Sequence, residues 1–274
     1  MHTRLLLAAF IIAWIVHPSC AAAKSDKLVA GPPALRHQET RPVPAELPIL
    51  MYHHIQDLSK NMTPMSVGLS TTPASFDAQL AVIEKAGYET VTFANIASGS
   101  GHTKKPLILT FDDGYEDAYS HAFPVLRQHH MKGVFYIITD MVGTSGYLTW
   151  QQAKEMQDAG MEIGAHSEHH PDLTKITATK MQLEIHGSIQ TLAQRMQKPV
   201  LSFAYPSGRY NLAVLKEFKT EPGVLFAVTT HSAIATTSSP RLELPRIRMK
   251  TGVPIARVLK RFSHTLTHHS IHSI

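Results

Sequence analysis

Short apolar runs of strand length alternate with segments of helical periodicity through most of this 274-residue chain, and that alternation restricts the fold more than any other feature. Leu47–Tyr52, Tyr88–Phe93, Leu107–Phe111, Gly133–Ile138, Met161–Ala165, Val200–Tyr205 and Val224–Val228 read as strands. Helices are expected between them. Phe76, Leu80, Ile83 and Ala86 repeat at helical spacing, as do Met181, Ile185, Ile189, Leu192 and Met196 within Thr177–Gln197. Tyr115–His129 and Leu212–Phe218 read the same way. Thr72 before Pro73 is an N-cap ahead of a first-turn proline, and Thr149 with Gln152 has capping-box spacing. A chain that returns through a helix after each strand pairs its strands in parallel, so the class is α/β, with a parallel sheet left open or closed into a barrel.

Two motifs fall at the ends of predicted strands, where such sheets place their chemistry. Thr110-Phe111-Asp112-Asp113-Gly114 sets adjacent carboxylates at the end of an apolar run, and His166-Ser167-Glu168-His169-His170-Pro171 spaces two imidazoles four residues apart. Asp-Asp-Gly alone is an ordinary turn sequence, and with 18 histidines in the chain a four-residue spacing arises easily. Together they point to metal-assisted hydrolysis: one Asp and two His suffice to hold a catalytic divalent metal with an open position, and the spare Asp is free to act as a base.

The N-terminus reads as an export signal over residues 1–23: Arg4, an apolar run from Leu5 to Val16, then Ala21-Ala22-Ala23 as a cleavage site. The run is too short for a comfortable membrane span, so no transmembrane segment is expected after cleavage. Cys20 is the single cysteine, so disulfides contribute nothing to the fold. Residues 24–46, with Gly31-Pro32-Pro33 and Arg41-Pro42-Val43-Pro44, read as a flexible linker. The folded domain is expected over 47–262, and 263–274 is a frayed tail carrying His264, His268, His269 and His272. The formal net charge of +5 is scattered and drops by one with Arg4. It permits contact with an envelope or anionic polymer. No nucleic-acid motif is present.

These motifs resemble those of the polysaccharide deacetylase family, the NodB-homology domain of carbohydrate esterase family 4, over roughly Leu47–Lys250. Thr110–Gly114 matches its first motif, and His166, Ser167, His170 and Pro171 match its second. Met51-Tyr52-His53 and Phe203-Ala204-Tyr205-Pro206-Ser207-Gly208 further resemble the exported branch acting on poly-N-acetylglucosamine. The resemblance implies a distorted (β/α) barrel with about seven parallel strands. It also implies a divalent metal, zinc by preference with cobalt, nickel or iron as alternatives, held by Asp113, His166 and His170. Asp112 would be the general base and Ser167 a support for the ligand loop. His169 is expected to point away from the metal and Glu168 to face solvent.

The chain departs from the family at two motifs. Where Arg-x-Pro-Tyr supplies an arginine that orients the base, this chain reads Ala204-Tyr205-Pro206-Ser207, leaving Arg209 and Arg246 as candidate replacements. The backbone N–H of Ser207 remains a candidate oxyanion donor. Where a late Leu-x-His supplies the general acid, the chain reads Leu244-Pro245-Arg246, so His53 and His231 are the candidates. Tyr115, Trp150 and Tyr205 are candidate sugar-binding residues, since aromatic faces stack on pyranose rings.

The implied protein is an exported, metal-dependent N-deacetylase of an N-acetylglucosamine polymer, periplasmic or secreted, with a possible envelope or polymer-export association. Two alternatives stand beside it. One changes the substrate to peptidoglycan, chitooligosaccharide or a small amide; the other is a weakly active glycan-binding domain that assists polymer export.

Overall fold

The computed structural model of the protein describes residues 42–100, 103–221 and 223–263. The expected signal, residues 24–41 of the expected linker and the tail from 264 onward lie outside them. The strands are β1 (Ile49–Tyr52), β2 (His54–Ile55), β3 (Ser70–Thr71), β4 (Glu89–Thr90), β5 (Pro106–Phe111), β6 (Val134–Ile137), β7 (Glu162–Ala165), β8 (Ser202–Ala204), β9 (Phe226–Val228) and β10 (Ile247–Arg248). Seven form one parallel path in the order β10-β1-β5-β6-β7-β8-β9, while β4 pairs with the start of β5 and β2 with β3. This is the expected seven-stranded distorted barrel, a parallel sheet curled into a half-barrel.

Residues 244–248 draw the edges of the curl together. Leu244 bridges Val228 of β9 in parallel, and three residues later Ile247 lies opposite Leu50 of β1. Arg246, between those contacts, is carried to the inside.

Side chains alternate across each strand. Ile49, Ile108, Val134, Tyr136, Ala204, Phe226 and Val228 form the inner core, while Leu50, Leu109, Phe111, Phe135, Ile137, Phe203 and Tyr205 pack outward against the helices. The inner layer is tight: a Cβ added to Gly164 would lie 2.6 Å from the Tyr136 ring, so only glycine fits there.

Several boundaries differ from the sequence reading. Only Glu89–Thr90 of the expected strand Tyr88–Phe93 pairs as a strand; Phe93 opens a helix, Phe93–Ser98, fixed by a reciprocal capping box between Thr92 and Asn95. The segment expected to be helical from Tyr115 becomes so only at Ala118, as a π turn running to Ala122, because Tyr115 pairs with Tyr147 in an isolated bridge. Residues 42–46, placed in the linker, belong with the fold: Val43 is buried in the inner core and Leu47 N–H bonds the Ala235 carbonyl. The capping pairs at Thr72 and Thr149 form as expected. Among the described residues no helix is long and apolar enough to cross a membrane.

His129 ties two outer helices together, with Nε2 2.8 Å from Asp77 and Nδ1 3.3 Å from Glu84. The Asp77 hydrogen bond leads in raising its pKa, helped by Glu84 and opposed by burial. A folded pKa above the unfolded one contributes stability that is full below the unfolded value and lost as pH rises through the folded one. Thermal melts of H129Q should therefore show a larger deficit against the parent at pH 5.5 than at pH 8.5.

Candidate active site

The C-terminal ends of β1, β5, β7 and β8 meet at one mouth of the half-barrel, as parallel pairing requires. Period-two alternation along β5 continues the inner row Ile108, Thr110 to Asp112, and along β7 it carries Gly164 to His166. Asp113 and Gly114 both take positive φ, 74° and 76°, and this turn lets two successive carboxylates face the same space.

Asp113, His166 and His170 form a convergent group. Asp113 Oδ1 lies 3.3 Å from His166 Nε2 and 3.7 Å from His170 Nε2, and one ligand atom from each of the three residues falls within 4.8 Å of the others. His166 donates its Nδ1 hydrogen to the Ala204 carbonyl at 2.7 Å, which fixes the tautomer and leaves Nε2 available as a ligand. This donor set, a carboxylate and two imidazoles with one already oriented from behind, fits a divalent transition metal. Burial alone would raise the Asp113 pKa; His166, His53 and His170 outweigh it and hold the carboxyl well below its usual range. His170 is pushed down by burial and by His166. Ser167 is buried, with its hydroxyl accepting the His170 N–H at 2.9 Å.

Asp112 is 3 % exposed and faces Arg246, which is 0 % exposed. The guanidinium donates Nη1 to Oδ1 at 2.6 Å and Nη2 to Oδ2 at 2.7 Å, while Nε bonds the Thr229 carbonyl and Nη1 also reaches Thr110 Oγ1. Burial pushes the Asp112 carboxyl up, but the charge and hydrogen bonds of Arg246 prevail and lower it below the carboxylate norm. Of the two candidate arginines, then, it is Arg246 that the fold sets on Asp112. Arg209 is exposed and pairs with Asp172 at 2.6 Å, beyond Pro171.

The two candidate acids lie in different places. His53 is buried, its Nε2 3.9 Å from Asp112 Oδ2 and its Nδ1 without a hydrogen-bond partner among the described residues. Burial pushes its pKa down to about 4 against the pull of both carboxylates. His231 is exposed, its ring edge-on to Tyr210, and its backbone carbonyl accepts the Arg246 backbone N–H at 2.8 Å. Ser207, exposed and left-handed at φ 53°, occupies the turn beyond β8.

Tyr115 stacks on His54 at 3.7 Å and meets Tyr147 at 5.2 Å, forming a half-buried aromatic wall beside Asp113. Tyr205 does not line the groove: it points outward, is 0 % exposed and donates its hydroxyl to the Leu242 carbonyl. Trp150 lies under the Arg195 guanidinium and packs against the outer core. His169 turns to Glu184 and Asp140 rather than to Asp113. His54, Tyr147 and the Ala204 carbonyl escaped the sequence reading. The first was legible as a second histidine at a strand end; a main-chain acceptor leaves no trace in residue identity.

A parallel half-barrel with an Asp, His, His group and an arginine-held carboxylate at its strand ends defines a class of site built for hydrolysis. The polysaccharide deacetylase family profile matches residues 99–221. YxkH of Bacillus subtilis (strain 168), named for that family, is 32% identical over 214 residues, covering 77% of this chain and 74% of its own. The chain belongs to the polysaccharide deacetylase family. Among solved structures, the Streptococcus pyogenes deacetylase PplD, in complex with acetate, superposes with a TM-score of 0.71 at 31% identity, over 80% of this chain and 98% of its own. Shorter stretches match two further enzymes. The B. subtilis peptidoglycan-N-acetylmuramic acid deacetylase PdaA is 38% identical over 43% of this chain and 45% of its own. The poly-β-1,6-N-acetyl-D-glucosamine N-deacetylase of Staphylococcus epidermidis is 25% identical over 53% of this chain and 54% of its own.

Proposed function

We propose that the protein is a metal-dependent hydrolase that removes N-acetyl groups from an N-acetylglucosamine-containing polysaccharide and releases acetate. The observation that carries this is the placement of Asp112, ionised and held by Arg246, beside the convergent Asp113, His166 and His170. Asp113, His166 and His170 would hold the cation, zinc by preference, which when bound supplies Lewis acidity to the acetamide carbonyl and lowers the pKa of water. Asp112 takes the proton of the attacking water as its oxygen bonds to the acetyl carbon. His53, neutral at rest and close to Asp112 Oδ2, relays that proton to the nitrogen as the C–N bond breaks, so the amine leaves neutral. His231, exposed and turned to Tyr210, is the weaker candidate. The Ser207 backbone N–H is the proposed second donor to the oxyanion, and the Tyr115–His54–Tyr147 wall the surface on which a pyranose ring stacks. The apolar run Leu5–Val16 supports action outside the cytoplasm, on an envelope or biofilm polymer.

The test is acetate release from β-1,6- and β-1,4-linked N-acetylglucosamine oligomers and from peptidoglycan fragments. A chelator should abolish release and zinc should restore it. Release from the β-1,6 series supports the stated reading. Release from peptidoglycan alone would move the substrate to the second class, which the match to PdaA favours. No release from any of them, with zinc bound at His166 and His170, would refute the deacetylase.

A further inference from the structure

The five residues from His166 to His170 hold an awkward shape. Ser167 and His170 both adopt left-handed backbone, at φ 63° and 59°, a conformation non-glycine residues rarely enter. Such a shape persists only where its surroundings over-determine it. One side of the loop is held by backbone groups, with Thr139 N–H and Asp140 N–H donating to the Ser167 and Glu168 carbonyls at 3.2 and 3.1 Å. The other side is held by one carboxylate. Glu184 Oε2 accepts the N–H groups of both Glu168 (3.0 Å) and His169 (2.9 Å), and Oε1 lies 2.9 Å from His169 Nδ1.

Glu184 sits on a π-helical turn, Leu183–Gly187, interrupting an otherwise α-helical run, and such turns are frequent at functional sites. The loop also rests on that turn's last residue. A Cβ on Gly187 would fall 2.3 Å from the Glu168 carboxylate, although Gly187 itself has ordinary helical backbone. The Glu168 side chain therefore lies over the turn, and its carboxylate end would swing aside for a larger residue.

We propose that Glu184 is a positioning residue for the metal centre: presented by the π turn, it locks the loop so that the His166 and His170 imidazoles converge on Asp113 before a cation arrives. This rests on the reading that Asp113, His166 and His170 bind a metal. Glu184 touches neither the ligand atoms nor any reacting group. Its effect passes through the backbone between the two histidines, as outer contacts tune a site by orienting the ligands.

The experiment is the affinity of the metal-stripped full chain for zinc, by competition with a chromophoric chelator, alongside melts of the metal-free proteins. H166A should lose the high-affinity site. E184A should bind roughly 10–100-fold more weakly, the range for loss of an outer contact. E184Q should recover most of that affinity, since an amide oxygen still accepts both N–H groups. Should E184A fail to fold, E184D serves: its carboxylate, one methylene shorter, loses its reach to the two N–H groups and should weaken zinc binding in the same direction. Affinity within about threefold of the parent for folded E184A, or for E184D where E184A does not fold, overturns the proposal while leaving the site intact. Zinc binding that H166A does not disturb overturns the underlying site reading instead.

Discussion

Methionine in place of Arg246 is expected to destabilise the protein by about 3–5 kcal/mol, the cost of leaving a buried charge without its partner. Arg246 is fully buried and all three of its nitrogens are bonded: Nε to Thr229, Nη1 to Thr110 and Asp112, Nη2 to Asp112. Methionine fills part of the volume, but Asp112 then keeps the burial that raises its pKa and loses the largest of the interactions that lowered it, leaving only the weaker pull of His53 and His166. Two results follow. The acid limb of the pH–rate profile should move to higher pH, because the base now stays protonated over part of the range where the parent is ionised. The stability deficit should also shrink at low pH, since a depressed carboxylate pKa contributes stability above the unfolded value and loses it as pH falls through the folded one. R246K retains the charge without the planar fork and should fall between. The double variant R246M/D112N should melt above R246M, because the uncompensated charge has gone; equal melting points would show that the pair does not act as a unit.

That this pair existed at all was only half legible in the sequence. Asp112 announces itself within a five-residue motif, as do Asp113, His166 and His170, because their geometry is local: a strand end, a tight turn, a short loop. Arg246 was one of two candidates, and the chain around it gives no preference. Its partners come from residues 110, 112 and 229, and its inward course depends on a strand of two residues that joins β1 only because the preceding Leu244 already lies on β9. Short pairing of that kind carries no periodic signal. Tyr205 shows a different failure. Alternation along β8 places Ala204 inward and Phe203 and Tyr205 outward, so the strand pattern held the information that Tyr205 faces the helices. Phe93 was drawn into a strand by the β-prone residues before it, Tyr88, Thr90, Val91 and Thr92, whereas Thr92 and Asn95 three residues apart are a helix start in which asparagine replaces the usual Glu or Gln. The parallel pairing of β5 through β9 followed from alternation, since those strands lie beside their neighbours in sequence, whereas the strand number came from the family resemblance and β10 was not foreseen. Glu184 could not be found that way, because a lone glutamate on a helix reads as a solvated face until the loop folds onto it.

Asparagine in place of Asp112 is expected to remove acetate release by a factor on the order of 10²–10⁴, the contribution of a positioned base. At 1.36 kcal/mol per decade this is about 3–5 kcal/mol of transition-state stabilisation. The substitution is nearly isosteric, and Asn accepts one guanidinium N–H through its oxygen while turning an NH₂ toward the other. Some stability is therefore lost with the Arg246 charge left unneutralised, and activity must be compared at a temperature where melts show both proteins folded. Asp113, His166 and His170 are untouched, so zinc affinity should stay close to the parent's. That separation distinguishes a base from a ligand: loss of turnover with zinc retained fits a base, whereas a parallel loss of zinc would make Asp112 part of the metal site. A residual rate above about a tenth of the parent's, far outside the range for a positioned base, would transfer the proton-accepting role to another group, with His53, 3.9 Å from the same carboxylate, next in line.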